Sequence, residues 1–300
     1  MTYLKLVAMA IIWGGTFVSG RLLSGHVEPA SAAFIRFLFA SFGLFVFAQF
    51  SEGGLPRLTI RQLLAVILLG LTGVFAYNLF FFRALETLAA GRAAATIAMN
   101  PAVIALLSWL LLREPLGPVR LFGIAISLAG ALLVISHGRP ADLLLGALPR
   151  GTLDILVCLL SWVAYSLLGR QLMRGLSPLA SVTYSSIAGT LLLAWPAFYA
   201  GTVHNMWTYS ILDWANLAYL GIAGTALGFV WYYQGIKKIG ATRASIFINI
   251  VPISAIALAH FMLGESIDGS LLVGGGLVIA GVYLTNVGFS HPFRRRADGF

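Results

Sequence analysis

Ten apolar stretches follow one another along the chain, at about 3–22, 30–50, 62–82, 91–112, 119–136, 153–172, 178–199, 212–235, 242–263 and 270–289. A helix needs about 20 such residues to cross a bilayer. The connectors are short and carry most of the charge. Only 10% of the 300 residues are charged and 59% are hydrophobic, against roughly 25% charged in a soluble domain. A water-soluble fold could not hide this much apolar surface. Membrane β-barrels alternate over segments of about ten residues, whereas these runs are continuous. The expectation is an all-α integral membrane protein of ten transmembrane helices with little soluble domain. Lys5 and the apolar run after it imitate a signal peptide. However, Trp13-Gly14-Gly15 interrupts the run and no small-residue cleavage site follows, so it reads as a retained helix. The single cysteine, Cys158, excludes an intrachain disulfide and a zinc site.

The chain says the same thing twice. IAMNPAVIALLSWLLLREPL (97–116) lies over INIVPISAIALAHFMLGESI (248–267), with Pro101 and Pro252, and Glu114 and Glu265, each 151 positions apart. At the same offset Gly70, Gly73 and Arg92 fall on Gly221, Gly224 and Arg243. Earlier in each half the offset is 149, placing Trp13, Gly20, Arg21 and Pro29 on Trp162, Gly169, Arg170 and Pro178. The expected organisation is a first repeat over 1–136, a connector over 137–151, a second repeat over 152–290 and a basic tail over 291–300. Five spans per half is an odd number, so the halves enter the bilayer from opposite sides. Secondary transporters use such inverted repeats and bind substrate at the repeat interface near the midplane.

Lys and Arg set orientation. Thirteen lie on the side of the N-terminus and five on the other, with Arg36 inside a span. Both termini are therefore expected in the cytoplasm. The net charge of +9 is explained by topology and anionic lipid, and no nucleic-acid partner is needed.

Proline removes a helical hydrogen bond and clashes with the carbonyl four residues back. Pro101 and Pro252 should therefore bend the fourth and ninth spans, freeing the carbonyls of Ile97 and Ile248 inside the protein. Met99, Asn100 and Asn249 flank these bends and are candidates to contact a ligand. Trp13 and Thr16 share a helix face with Gly20, and Trp162 and Tyr165 share the matching face with Gly169. These residues could line a cavity, stacking on an aromatic ligand or covering a cation, although tryptophan also marks interface belts. From the aromatic third and eighth spans, Tyr77, Asn78, Phe81 and Trp231 join the candidates. Gly14, Gly15, Gly73 and Gly224 are expected to allow close, sliding helix contacts. Glycine stripes in the fifth and tenth spans place those helices at the periphery, bracing the others or forming a dimer contact.

No Asp or Glu lies mid-span, so the buried carboxylate of a proton-coupled pump is not visible. Arg36 is the one deep charge. It could meet a substrate carboxylate, and a structural role, capping carbonyls or pairing with a carboxylate at a helix end, is the expectation. The chain contains no H-E-x-x-H and no G-x-S-G, so it reads as no enzyme. No metal and no cofactor are expected.

These residues together resemble the ten-helix EamA-type exporters of the drug/metabolite transporter superfamily. The likeness rests on Pro101…Arg113-Glu114…Gly123…Gly130, repeated as Pro252…Gly264-Glu265…Gly274…Gly281, on WGGTF at 13–17 and on Arg36-Phe37. It covers about residues 3–289. It implies two inverted five-helix repeats around a central cavity among helices 1–4 and 6–9. It also implies export of small metabolites, closest to exporters of amino acids including aromatic ones. Multidrug or other metabolite export, a channel and a scramblase remain alternatives. The setting implied is a multi-pass protein of the bacterial inner membrane, with lipid around it, as a monomer or weak homodimer.

Overall fold

The computed structural model describes residues 1–141, 149–172 and 175–287; part of the connector and the basic tail lie outside them. Ten helices follow one another: α1 (Thr2–Leu23), α2 (Pro29–Glu52), α3 (Ile60–Thr87), α4 (Ala90–Leu112), α5 (Pro118–Ile135), α6 (Arg150–Leu172), α7 (Pro178–Tyr199), α8 (Ile211–Ile239), α9 (Arg243–Leu263) and α10 (Gly269–Val287). Each matches one of the apolar runs. A short helical strap, Thr202–Thr208, turns 78° away from α7. Exposed Trp195, Phe198 and Tyr199 with Trp207 on the strap form the kind of aromatic belt that marks a membrane boundary. Leu38, Phe42 and Phe45 of α2 and Leu64 and Leu68 of α3 are exposed, a face suited to lipid.

The helix starts carry the repeat into the backbone. Thr59 caps α3 in a capping box with Gln62, and Ser210 caps α8 in a capping box with Asp213. Glu28 accepts from the Ala30 and Ser31 amides ahead of α2, and Ser177 accepts from Ala180 ahead of α7. Each of the latter two precedes a proline, whose fixed φ suits the first turn.

α4 and α9 differ from the expected bends. α4 runs as a helix over Ala90–Ile97, stops, and restarts over Asn100–Leu112 with Pro101 in its first turn. α9 breaks at a tight turn, Phe247–Asn249, and restarts over Ile250–Leu263 with Pro252 in its first turn. A proline there gives up a backbone donor that a helix start leaves unpaired anyway. The chain therefore interrupts each helix just ahead of the proline instead of forcing the ring into an intact one.

α5 and α10 pack against each other through glycine. A Cβ on Gly123 would sit 2.7 Å from the Gly281 carbonyl, and one on Gly130 would sit 2.6 Å from the Gly274 carbonyl. Gly274 and Gly281 lie 151 positions after Gly123 and Gly130, so the crossing is two-fold: each glycine meets the repeat-mate of the other. Leu121, Phe122, Leu128, Leu132, Leu272 and Val273 are exposed on their far sides. The pair braces the bundle from outside.

Replacing Gly130 by Leu should push α5 off α10 and destabilise the protein by about 1–3 kcal/mol, the usual range for overpacking. Gly276→Leu, where a Cβ would meet nothing within 4 Å, should be tolerated. Melting temperatures of the purified protein in detergent check both; equal losses would remove the glycine crossing as the brace.

Candidate functional site

Between the halves, α2, α3, α6, α7 and α8 enclose a cavity of about 50 Å³ lined by Arg36, Phe37, Gly73, Val74, Tyr77, Asn78, Trp162, Tyr165, Val182, Ser185, Ser186, Thr225 and Phe229. It lies on the repeat axis. Its lining includes four pairs of repeat-mates: Arg36 and Ser185, and Phe37 and Ser186, 149 apart; Val74 and Thr225, and Asn78 and Phe229, 151 apart. The mates have diverged in chemistry. The first half supplies the charge and the amide. The second supplies hydroxyls and most of the aromatic surface.

The backbone shapes this site with two wide turns that stand at equivalent places. Gly70–Ala76 in α3 and Tyr219–Leu227 in α8 are π-helical, a rare geometry found mostly where an extra residue is inserted into a helix, often at functional sites. Both contain the glycines that let neighbours in. A Cβ on Gly70 would fall 2.7 Å from the Gly189 amide of α7, and one on Gly221 would collide with the Arg36 carbonyl of α2. Three residues on, Gly73 receives the Tyr165 ring, and Gly224 receives the Thr16 methyl. Side chains of α6 and α1 thus plug symmetry-related notches, with a large plug on one side and a small one on the other.

Tyr77, Trp162 and Tyr165 form a continuous aromatic wall, with ring centroids 5.3 Å apart for the first pair and 5.2 Å for the second. The polar groups are sparse. Asn78 donates its amide N–H to the Val74 carbonyl at 2.8 Å and leaves Oδ1 without a partner. Ser185 donates to the Val182 carbonyl and Thr225 to the Leu220 carbonyl. Arg36 is 9% exposed, and among the described residues its one hydrogen-bond partner is Thr225 Oγ1, at 3.4 Å. The expected structural role for Arg36, capping a carbonyl or pairing with a carboxylate, is not what its contacts show. Nor is it the only buried charge: Arg92, Asp154 and Asp213 are also buried, each close to a helix end. Among the described residues no group of three or more His, Cys, Asp and Glu could hold a metal ion.

Other candidate residues sit elsewhere. The Trp13 indole donates to the Gly224 carbonyl at 2.8 Å and packs on Phe229 and Tyr232, outside the cavity lining. Thr16 donates to the Trp13 carbonyl. Gly14 lies against Ser254 and Ala255 of α9, and Gly15 against the Tyr219 hydroxyl. Phe81 is fully buried behind Tyr77, stacked on it at 6.1 Å. Trp231 lines a separate recess at the N-terminal end with Lys5, Gln234 and Lys238. Met99 and Asn100 stand at the break in α4, Asn100 with an unpartnered Oδ1, and Asn249 at the break in α9. The polar lining of α7 escaped sequence reasoning. Its signal was present in SVTYSSIAGT (181–190), a cluster of small hydroxyls in the middle of an apolar run.

Polar contacts join the halves at both ends of the bundle. At the end bearing the N-terminus, Arg170 pairs with Glu114 at 2.7 Å, Ser177 donates to Glu52 at 2.6 Å, and Lys5 donates to Gln234 at 3.1 Å. At the other end, Arg83 pairs with Asp154 at 3.6 Å, Arg92 with Asp268, and Glu265 accepts from the Ala90 and Gly91 amides that open α4. The repeat-mates Glu114 and Glu265 thus hold different partners. Glu265 caps a helix of the opposite half. Glu114 leaves the equivalent start of α9, which has no side-chain cap, and binds an arginine instead.

Residues 1–136 and 149–287 each match the family described as the EamA-like transporter family. An uncharacterized transporter of Bacillus subtilis, YyaM, is 29% identical over 280 residues, covering 93% of this chain and 92% of its own. A "Probable terminal-alkyne amino-acid exporter" of Streptantibioticus cattleyicolor is 28% identical, covering 94% and 92%. A "Probable amino-acid metabolite efflux pump" of Salmonella typhimurium is 25% identical, covering 97% and 96%. A crystal structure 20% identical in sequence superposes with a TM-score of 0.65 over 95% of this chain and 97% of its own, which shows the shared fold.

The Asp268 link is open to a pH test. The Ser270 hydroxyl, the Leu271 amide and the neighbouring Arg92 hold its carboxyl below the ordinary carboxylate value. A lowered folded-state value stabilises the protein above the unfolded value of about 4, and that contribution is lost as pH falls through the folded one. Asp268→Asn should therefore lower the melting temperature at neutral pH and flatten its fall below pH about 4. An unchanged acid limb would show that the link adds nothing.

Proposed function

The chain belongs to the EamA-like transporter family, and on that premise we propose that it exports small metabolites, amino acids including aromatic ones, from the cytoplasm by alternating access. The observation that carries this reading is the aromatic cavity on the axis between two inverted halves. Its wall of Tyr77, Trp162 and Tyr165 suits a flat apolar body, since aromatic pairs contribute beyond their buried area. No acidic residue lines it, and a site for amphipathic cations would want one. Relatives described as exporters of amino acids or their metabolites support the same substrate class.

A ligand pocket commonly measures roughly 300–1,000 Å³. At about 50 Å³ the cavity is contracted, with both ends of the bundle joined by polar contacts. Transport then requires the halves to part at one end at a time. The unequal partners of Glu114 and Glu265 suit such a cycle, because a rocking motion would trade one arrangement for the other at equivalent places. The breaks in α4 and α9 put the flexible points next to Pro101 and Pro252. The excess of Lys and Arg on the side of the N-terminus supports cytoplasmic termini in the bacterial inner membrane.

Purified protein in proteoliposomes loaded with mixed amino acids and amphipathic cations tests the reading. Tryptophan and phenylalanine should leave saturably. Trp162→Ala should slow tryptophan roughly 2- to 10-fold, the scale of one lost aromatic pair, and alanine much less. Exit of cations alone, or unsaturable flux, would replace the reading with a multidrug exporter or a channel. Pro252→Ala should slow flux more than it weakens binding; equal losses would remove the break in α9 as a gate.

A further inference from the structure

Among the described residues, Arg36 is the buried charge that no ion pair includes. It lies seven residues beyond Pro29, the first residue of α2, roughly 10 Å along the helix, and it lines the cavity. The guanidinium has five N–H donors in a planar fork. Here one reaches Thr225 at 3.4 Å, longer than an ordinary hydrogen bond, and Nε has no partner. The rings of Phe37 and Phe81 lie 5.5 and 5.8 Å from its central carbon. The ion pairs of the described residues do not include it, so no carboxylate oxygen comes within 4.0 Å. Burying a cation this way is costly unless something pairs with it, and inside a membrane such a residue marks a functional site.

The rest of the cavity explains what kind of partner fits. Ser185 and Thr225 have already spent their hydroxyl hydrogens on their own helices, on Val182 and Leu220, and Asn78 has spent one of its two amide hydrogens on Val74. Their remaining capacity is mainly that of acceptor oxygens: Thr225 Oγ1 takes the Arg36 contact, and Asn78 Oδ1 is both buried and unused. The site thus combines one cationic fork with neutral acceptors and an aromatic wall. A carboxylate matches the fork, with two parallel charge-assisted bonds available. An amino group meets only neutral acceptors, which a ligand can do without at smaller cost.

We infer that Arg36 binds the substrate carboxylate, and that the cavity selects monocarboxylates with an apolar or aromatic body, for which the carboxylate is required and the amino group dispensable. The inference rests on the exporter reading of this cavity and narrows it. Amino acids are then one subset of the substrates, and amines of the same shape are excluded.

Three probes with one ring system separate the groups: tryptophan, indole-3-propionate, which lacks the amine, and tryptamine, which lacks the carboxylate. Proteoliposomes of the full chain at about pH 8 keep both carboxylates ionised. Tryptophan and indole-3-propionate should leave saturably and compete, and tryptamine should leave no faster than from protein-free vesicles. Arg36→Gln should slow both carboxylates about tenfold or more, the scale of one lost charge-assisted hydrogen bond, and Arg36→Lys should fall between. Tryptamine carried as fast as tryptophan, or tryptophan carried without indole-3-propionate, would overturn the assignment and leave the exporter reading standing. If none of the three moves, the exporter reading falls for aromatic substrates and binding judges Arg36 separately. Indole-3-propionate, and not tryptamine, should then raise the melting temperature of the unmodified protein in detergent; equal shifts or none would overturn the assignment. If Arg36→Gln aggregates on gel filtration, the ranking of the three probes on the unmodified protein and on Arg36→Lys decides.

Discussion

Lipid offers no hydrogen bonds, so each backbone amide and carbonyl inside the bilayer needs a partner from the chain. That constraint dictates the helices, and it also dictates where the helices are allowed to fail. The break in α4 falls at buried Met99 and Asn100, that in α9 at half-buried Phe247–Asn249, and each helix resumes with a proline in the first turn. The π-helical turns of α3 and α8 keep their ladders closed through bonds spanning five residues instead of four, changing the register of the side chains beyond them. The hydroxyls of Ser185, Thr190 and Thr225 are tied to carbonyls one turn earlier on their own helices. Few polar hydrogens remain, which is why the unpaired ones in the cavity stand out.

Within that constraint, glycine decides which helices touch. Gly70 and Gly221 bring α3 to α7 and α8 to α2, and the four glycines of α5 and α10 close the outer brace. All of these are contacts between one half and the other. The inverted repeat is therefore a packing statement as well as a sequence pattern: the notches are equivalent, and what fills them is free to differ. Tyr165 fills one and Thr16 the other.

Much of this was legible beforehand because it depends on composition over long windows. The ten spans, the offsets near 150 residues and the glycine faces of α5 and α10 are all properties of repeated apolar and small residues. The features that depend on a single residue's surroundings were not. A π-helical turn has no distinct composition; Gly70 and Gly73 look like any small-residue stripe. Trp13 and Trp162 hold equivalent sequence positions, yet Trp13 is engaged by a backbone carbonyl of α8 while Trp162 borders the cavity. Gly228, against which the Trp13 indole lies, stands where the first half has Tyr77, whose ring packs on Trp162. The α7 hydroxyls were overlooked because serine and threonine hide easily in a helix by bonding their own backbone.

The mates across the cavity carry one more consequence. The glycine crossings between the halves would survive if both halves were the same five-helix chain inserted in opposite orientations, because each crossing is made twice. The cavity would not. Two identical halves would set a second guanidinium opposite Arg36, at the place now held by Ser185, and two like charges in a space of about 50 Å³ would repel strongly at low dielectric. Joining the halves in one chain lets the two sides carry different valence. An odd charge on a two-fold axis is available only to a molecule whose symmetry is imperfect.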